Sequence, residues 1–328
     1  MFRISRYLHA LTQPVASVRR PVNPTGPVVI WNLVRRCNLT CRHCYATSAD
    51  KDFPGELTTS DVFNVMDDLR DFGVPVLILS GGEPLLRPDI FEISQRAKSM
   101  GFYVGLSSNG TLINETTIAD IAEVGYDYVG ISIDGMRDTH DRFRRKQGAF
   151  DESIRGIRYC RDAGLKVGLR FTLTQDNAAE LPDLLQLMDD EGIDKFYLSH
   201  LNYAGRGYKN RNDDVHHRIT REAMNLLFAT CWDDVQKGRK RDAKGSLLPV
   251  TTMRMVLICY SGQRTICRNI TPGCRKWSPD GAAIRAVSIS PISIMKAGYI
   301  PTPCGGTIRS AVSKSVVFQR SGRIPVNP

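Results

Sequence analysis

Cys37, Cys41 and Cys44 stand in the spacing C-x3-C-x2-C, and Tyr45 follows the third directly. Three thiolates on one short loop can converge on a single soft metal centre. Three readings compete. Core thiols are disfavoured, because the spacing is tight and the residues between include polar Asn38, Thr40, Arg42 and His43. Structural zinc wants four ligands, and His43 sits inside the loop, where reaching the same ion would strain the chain. An iron–sulfur cluster with three protein ligands fits best. It leaves one iron open for a substrate or cosubstrate, whereas a purely electron-transferring cluster usually takes four ligands.

Further polar groups follow at intervals: Gly81-Gly82-Glu83-Pro84, Asn109 before Gly110, Ser132 and Asp134, the arginines at 142, 144 and 145, Arg170 with Thr172, and Ser199-His200. Gly81 and Gly82 would let the backbone approach a ligand closely. The arginines follow the fourth of six apolar runs, and the other groups lie at or near a run's end; the runs occupy 28–34, 75–79, 102–106, 126–131, 166–173 and 195–201. Between them, helical periodicity appears around 58–73, 88–100, 115–124, 150–163 and 180–191. Such alternation, with no hairpin turn joining strands, means parallel strands with crossover helices. Six units predict an α/β fold, a partial, open (β/α)6 TIM-like barrel. Its active site should lie at the C-terminal strand ends, where the polar groups fall.

Composition narrows the class. A chain of 328 residues with 42% hydrophobic content can bury a large core. No apolar run reaches the roughly 18–20 residues of a membrane span. The N-terminus, with Ile4, Tyr7, Leu8 and Leu11 among arginines, has amphipathic spacing too short and interrupted for a secretory signal. A cytoplasmic protein is expected, with its clustered cysteines serving a metal rather than disulfides. The net charge of +10 suggests a nucleic-acid partner until it is located. Residues 1–245 hold 33 basic and 33 acidic residues, whereas 246–328 hold 11 basic residues and one acid, Asp280.

The cysteine motif followed by Gly81-Gly82-Glu83-Pro84 resembles the radical S-adenosylmethionine (SAM) superfamily over about residues 27–205. The resemblance implies a [4Fe-4S] cluster on Cys37, Cys41 and Cys44 whose open iron is chelated by SAM. An electron, from a donor such as a ferredoxin or flavodoxin, then cleaves SAM to methionine and a 5′-deoxyadenosyl radical that abstracts hydrogen from substrate. It also implies that Gly81, Gly82, Glu83 and Pro84 meet the SAM amino group, and that Asn109, Ser132 and Asp134 line the adenosine and methionine site. One arginine, best Arg144, would clamp the carboxylate, and Tyr45 would lie near the adenine. Arg170 and Thr172, on one face of a strand, complete the cofactor candidates. Each has a plainer alternative as a turn former, solvated surface or core aromatic. No residue is assigned a catalytic role.

Within the superfamily, the N-terminal block and the runs 52–57 and 194–207 resemble the NirJ family, the radical SAM enzymes of haem d1 biosynthesis. That resemblance implies a tetrapyrrole substrate, didecarboxysiroheme, and removal of its propionate side chains. It makes His200, Asn202, Tyr203 and Arg206 candidates for meeting a polyanionic macrocycle, with loop structure as their alternative. The family carries a second, cysteine-rich region for an auxiliary cluster. Here Cys259, Cys267, Cys274 and Cys304 follow a different spacing, and periodicity fades after about residue 248. At the acid frequency of the first 245 residues, about 11 acids would be expected in the tail, against the one present. An adjacent reading frame can be chosen that restores acidic, patterned sequence. The expectation is therefore a one- or two-base shift near codons 243–248. The expected domains are a basic extension (1–26), a radical SAM core (27–212), a helical segment (213–245) and an aberrant, disordered tail (246–328). Two other functions stay open: a peptide-modifying radical SAM maturase, and a zinc-binding interaction module with a basic nucleic-acid arm.

Overall fold

The computed structural model describes residues 4, 5, 8, 27–236 and 246–249, the last four as backbone alone. Six parallel strands follow the expected order: β1 (Val28–Val34), β2 (Val76–Gly81), β3 (Tyr103–Ser108), β4 (Tyr128–Ser132), β5 (Val167–Leu173) and β6 (Lys195–His200). A crossover segment separates each strand from the next, so every neighbouring pair is parallel. The helices are α1 (Thr59–Asp71), α2 (Ile90–Ser99), α3 (Thr117–Val124), α4 (Arg137–Arg144), α5 (Ala149–Asp162), α6 (Leu181–Asp190), α7 (Gly205–Lys209) and α8 (His217–Gln236). Among the described residues no helix is long and apolar enough to cross a membrane.

Local chemistry fixes the boundaries. Thr58 and Asp61 form a reciprocal capping box at the start of α1, satisfying two backbone donors that a helix start leaves open. Along each strand alternate residues turn to opposite faces. Leu77, Leu79, Val104, Leu106, Val129, Ile131, Leu169, Phe171, Phe196 and Leu198 pack with Met66, Ile93, Ile121, Ile157, Leu184 and Phe228 of the helices in one core. Phe171 and Phe196 are among its largest fully buried side chains, each stabilising the fold by about 1.5–3 kcal/mol. Ile4 and Leu8, four residues apart, are also fully buried in this core.

The other sheet face is different. Ile78, Tyr128 and Tyr197 form a separate small cluster, with the two rings 5.7 Å apart at 30°. Small residues make room for them. A Cβ on Gly105 would lie 2.3 Å from the Tyr128 ring, and one on Gly168 2.8 Å from the Tyr197 ring. The two tyrosines therefore plug the base of the open barrel. By the two-residue period, Ser107, Ser132, Arg170, Thr172 and Ser199 turn to this same face nearer the strand ends.

Three elements depart from the expectation. Helix α4 was read as a basic stretch after β4; it has no apolar stripe, because Thr139, His140, Asp141 and Arg144 are buried on it beside Phe143. Helix α7 is too short to show a period. A short strand β7, Ser246–Pro249, pairs parallel to β6 with Lys195 opposite Ser246 and Leu198 opposite Pro249. The sheet thus runs four residues into the segment expected to be aberrant. The rest of that segment, with its expected disorder, late cysteines and reading-frame break, lies outside the described residues.

Candidate active site

The cysteine loop leaves β1 at its C-terminal end, and its base is fixed against β2. The Gly82 N–H donates to the Val34 carbonyl at 2.7 Å and the Glu83 N–H to the Arg36 carbonyl at 2.9 Å. Gly81 has φ +150°, and a Cβ there would sit 2.2 Å from the Val34 oxygen; one on Gly82 would sit 2.2 Å from the Arg36 oxygen. Only glycine allows this approach. The Gly-Gly pair thus brings the second strand end against the residue that precedes Cys37.

The loop closes through Cys37, whose N–H donates to the Ala49 carbonyl at 3.0 Å. Thr47, a β-branched residue at φ +52°, holds a strained left-handed conformation inside it. Arg35 secures that turn, donating from Nε to the Ala46 carbonyl at 3.0 Å and from Nη2 to Thr47 Oγ1. His43 is buried, its Nε2 2.7 Å from Asp213 Oδ2 and its ring 4.6 Å from Phe143. Tyr45 donates from its hydroxyl to Asn32 Oδ1 at 3.0 Å, along the inner side of β1.

Cys37 is buried, and burial pushes its thiol up to about 12. Burial also raises the Cys41 thiol, against the pull of Arg144. Nearby Cys41 and Cys44 raise Cys37 further, so the three sulfurs lie within electrostatic reach of one another. Among the described residues no three His, Cys, Asp or Glu side chains stand ready to hold a single ion. A tetrahedral ion at about 2.3 Å would need sulfurs about 3.8 Å apart, and a four-iron cluster spreads its thiolates wider. The donor set of three thiols on one pinned loop fits such a cluster with one iron left open.

Glu83 is fully buried. Its carboxylate accepts from the Leu85 N–H at 3.2 Å, Ser108 Oγ at 2.9 Å and the Asn109 N–H at 2.8 Å. Burial raises its pKa to about 7 in spite of these donors. Asn109 extends the connection. Its Nδ2 donates to Asn38 Oδ1 at 2.9 Å and approaches Cys37 Sγ at 3.9 Å, while its Oδ1 accepts from Thr111. Pro84, also buried, opens a 3-10 turn (Pro84–Leu86).

A second network joins β4, α4 and β5. Asp134 accepts from the Thr172 N–H at 2.7 Å through Oδ1 and from Arg144 through Oδ2. Arg144 also reaches Cys41 Sγ, at 3.6 Å, and its buried Nε has no partner. Burial opposes the guanidinium's charge, but Asp134 and Cys41 outweigh it and raise its pKa. His140 accepts the Asp134 N–H at Nδ1, 3.1 Å away, and burial together with Arg144 keeps its pKa well below the ordinary value. Arg170 donates to Ser107 Oγ at 2.6 Å. Ser132 is half-buried beside it in the sheet register.

The last group divides. Arg206 turns to the cysteine loop, donating from Nε to the Cys41 carbonyl at 2.7 Å. Tyr203 donates to Asp214, and His200 Nδ1 lies 4.0 Å from the same carboxylate. Tyr203, Asp214, Gln175, Arg211 and His216 line a cleft of about 490 Å³ beyond the ends of β5 and β6. Asn202 is exposed. Residues that spacing alone did not reveal include Asn38, Ser108, His140, Asn210 and Asp213. They act through hydrogen bonds between distant segments, for which a single sequence carries no periodic signal.

A parallel α/β barrel with a three-cysteine loop and a glycine pair at adjoining strand ends matches the radical SAM superfamily over residues 31–188, and those residues are a radical SAM domain. The chain is 52% identical over 236 residues to the pre-heme d1 synthase of Dinoroseobacter shibae, covering 72% of this chain and 58% of that one. It is 42% identical over 227 residues to the Fe-coproporphyrin III synthase of Methanosarcina barkeri, covering 69% and 55%. The chain therefore spans a little over half the length of these curated relatives. The solved structure of Streptococcus suis SuiB bound to S-adenosylmethionine superposes with a TM-score of 0.57 at 17% identity, over 70% of this chain and 51% of that one. That likeness is one of fold.

Proposed function

We propose that this chain is the radical-generating part of a tetrapyrrole-modifying radical SAM enzyme, acting on didecarboxysiroheme to remove propionate side chains on the route to haem d1. The observation that carries this reading is the 52% identity over 236 residues to a pre-heme d1 synthase. The lower identity to the PqqA peptide cyclase of Gluconobacter oxydans, 27% over 190 residues, ranks a peptide substrate second.

Cys37, Cys41 and Cys44 would hold three irons of a [4Fe-4S] cluster, and SAM would take the fourth. Bound together and reduced by a donor such as a ferredoxin or flavodoxin, these groups supply a carbon-centred radical that removes hydrogen from the substrate. The protein's part is placement. Glu83 and Asn109 hold the ends of β2 and β3 to the cysteine loop. Asp134 holds Arg144 beside Cys41, where a guanidinium suits an approaching carboxylate. Gly81, Gly82, Ser132, Arg170 and Thr172 line the route to the barrel interior, and Tyr128 and Tyr197 stop a ligand from going deeper. The cleft at Tyr203 and Arg211 offers the macrocycle an aromatic face and a cation. The composition break from residue 246 onward leads us to expect slower turnover of macrocycle than of SAM.

Anaerobic reconstitution tests the reading. About four irons and four sulfides per chain are expected, falling to background when Cys37, Cys41 and Cys44 are all replaced by Ala. Stoichiometric zinc without SAM binding would overturn it in favour of an interaction module. Formation of 5′-deoxyadenosine enhanced by didecarboxysiroheme, and not by peptides, would support the substrate assignment.

A further inference from the structure

A short loop that carries three metal ligands has few backbone partners of its own. Between Cys41 and Cys44 the one backbone hydrogen bond is Cys44 N–H to the Cys41 carbonyl, at 3.4 Å. Carbonyls left over in such a loop must find donors elsewhere. Here they find them in the segment after β6. Arg206 donates from its backbone N–H to the Cys44 carbonyl at 2.9 Å, from Nε to the Cys41 carbonyl at 2.7 Å, and from Nη1 to the Ser48 carbonyl at 2.9 Å. Asn210 Nδ2 donates to the Arg42 carbonyl at 2.8 Å. Asp213 takes the opposite sense, accepting from Arg42 Nη2 at 2.9 Å and lying 2.7 Å from His43 Nε2. At Gly205 a Cβ would meet the Tyr45 oxygen at 2.4 Å, so the helix start is pressed against the loop.

We propose that residues 205–213 are a clasp that fixes the conformation of the cluster-binding loop, with Arg206 as its positioning residue. This rests on the reading of Cys37, Cys41 and Cys44 as iron ligands. The guanidinium suits the task, because its planar fork reaches two carbonyls seven residues apart, which a lysine ammonium cannot do at once. Its Nη2 is buried and unpartnered, so a positive charge stays close to the loop with donors in reserve. That charge favours thiolates and an electron-rich cluster. The sequence resemblance had placed Arg206 with the substrate candidates; its contacts assign it to the cofactor loop.

The test uses the full 328-residue chain, reconstituted anaerobically, as wild type, Arg206→Ala and Arg206→Lys. Iron per chain, the rate of iron loss to a chelator, the reduction potential and the electron paramagnetic resonance line shape are measured, with circular dichroism as the fold check. Loss of an outer-shell partner typically weakens metal retention about 10–100-fold. Arg206→Ala should therefore release iron at least about tenfold faster, with a lower potential and an altered line shape. Arg206→Lys should keep the potential near wild type and recover part of the retention. If Arg206→Ala does not fold, the same measurements on Arg206→Lys decide. Wild-type iron retention and line shape in the variants would overturn the clasp while leaving the cluster reading intact. Failure of the wild type to load iron would overturn both.

Discussion

Gly82→Ala isolates the contact between the glycine turn and the root of the cysteine loop. The added Cβ would lie 2.2 Å from the Arg36 oxygen, 2.6 Å from the Arg35 oxygen and 2.7 Å from the Arg36 carbonyl carbon. All three are backbone atoms, so no rotamer change relieves the overlap. Real Cβ atoms essentially never approach closer than 3.0 Å, which requires the two segments to part by about 0.8 Å. Hydrogen bonds now at 2.7 and 2.9 Å, Gly82 N–H to Val34 and Glu83 N–H to Arg36, would then stretch beyond useful range. Each buried group left unpaired costs about 1–3 kcal/mol, so the expected loss is about 2–6 kcal/mol. Against a whole-domain stability of about 5–15 kcal/mol that is large. Urea denaturation of the metal-free protein measures it, and iron content after reconstitution reports the displaced loop. As a comparison, Gly164→Ala adds a Cβ to open space at φ +76°, where backbone strain alone should cost about 1–3 kcal/mol. A Gly82→Ala loss below about 1 kcal/mol, with normal iron loading, would refute the steric argument.

Two more outcomes are expected. Glu83 titrates near 7 in the fold against 4.5 as its ordinary value. The fold therefore binds its proton more tightly, and this stabilising contribution is complete below about pH 4.5 and lost as pH rises through 7. The stability difference between wild type and Glu83→Gln should shift by roughly 2.5 kcal/mol from pH 5 to pH 8, to the wild type's disadvantage; a pH-independent difference in urea midpoints would contradict this. Asp134→Asn leaves the buried Arg144 guanidinium without its carboxylate, which should destabilise by about 3–5 kcal/mol. A loss under about 1 kcal/mol by the same assay would show that Arg144 finds other compensation.

The strands were legible because each is a mostly apolar run, and their spacing at crossover length leaves parallel pairing as the economical topology. The cysteines and the Gly-Gly turn were legible because spacing itself encodes their chemistry. Helix α4 was not, since a helix that buries His140, Asp141 and Arg144 shows no hydrophobic stripe. Arg206 could be picked out as unusual, yet its partner could not. A guanidinium bound to the Cys41 and Ser48 carbonyls spans 165 residues of sequence and leaves no mark in local composition. Glu83 stands out through its motif, but the partners its oxygens accept from, Leu85, Ser108 and Asn109, could not be picked out in the same way.

The tyrosine pair under the strand ends carries one more meaning. Gly105 admits the Tyr128 ring and Gly168 the Tyr197 ring, so each tyrosine lies over the glycine of the strand before its own. Both rings come from strands that also bear polar groups nearer the mouth, Tyr128 with Ser132 on β4 and Tyr197 with Ser199 on β6. Depth and chemistry are therefore coupled: the Tyr128 hydroxyl pairs with Arg170, so exchanging that ring for a smaller group would also release a residue of the polar wall.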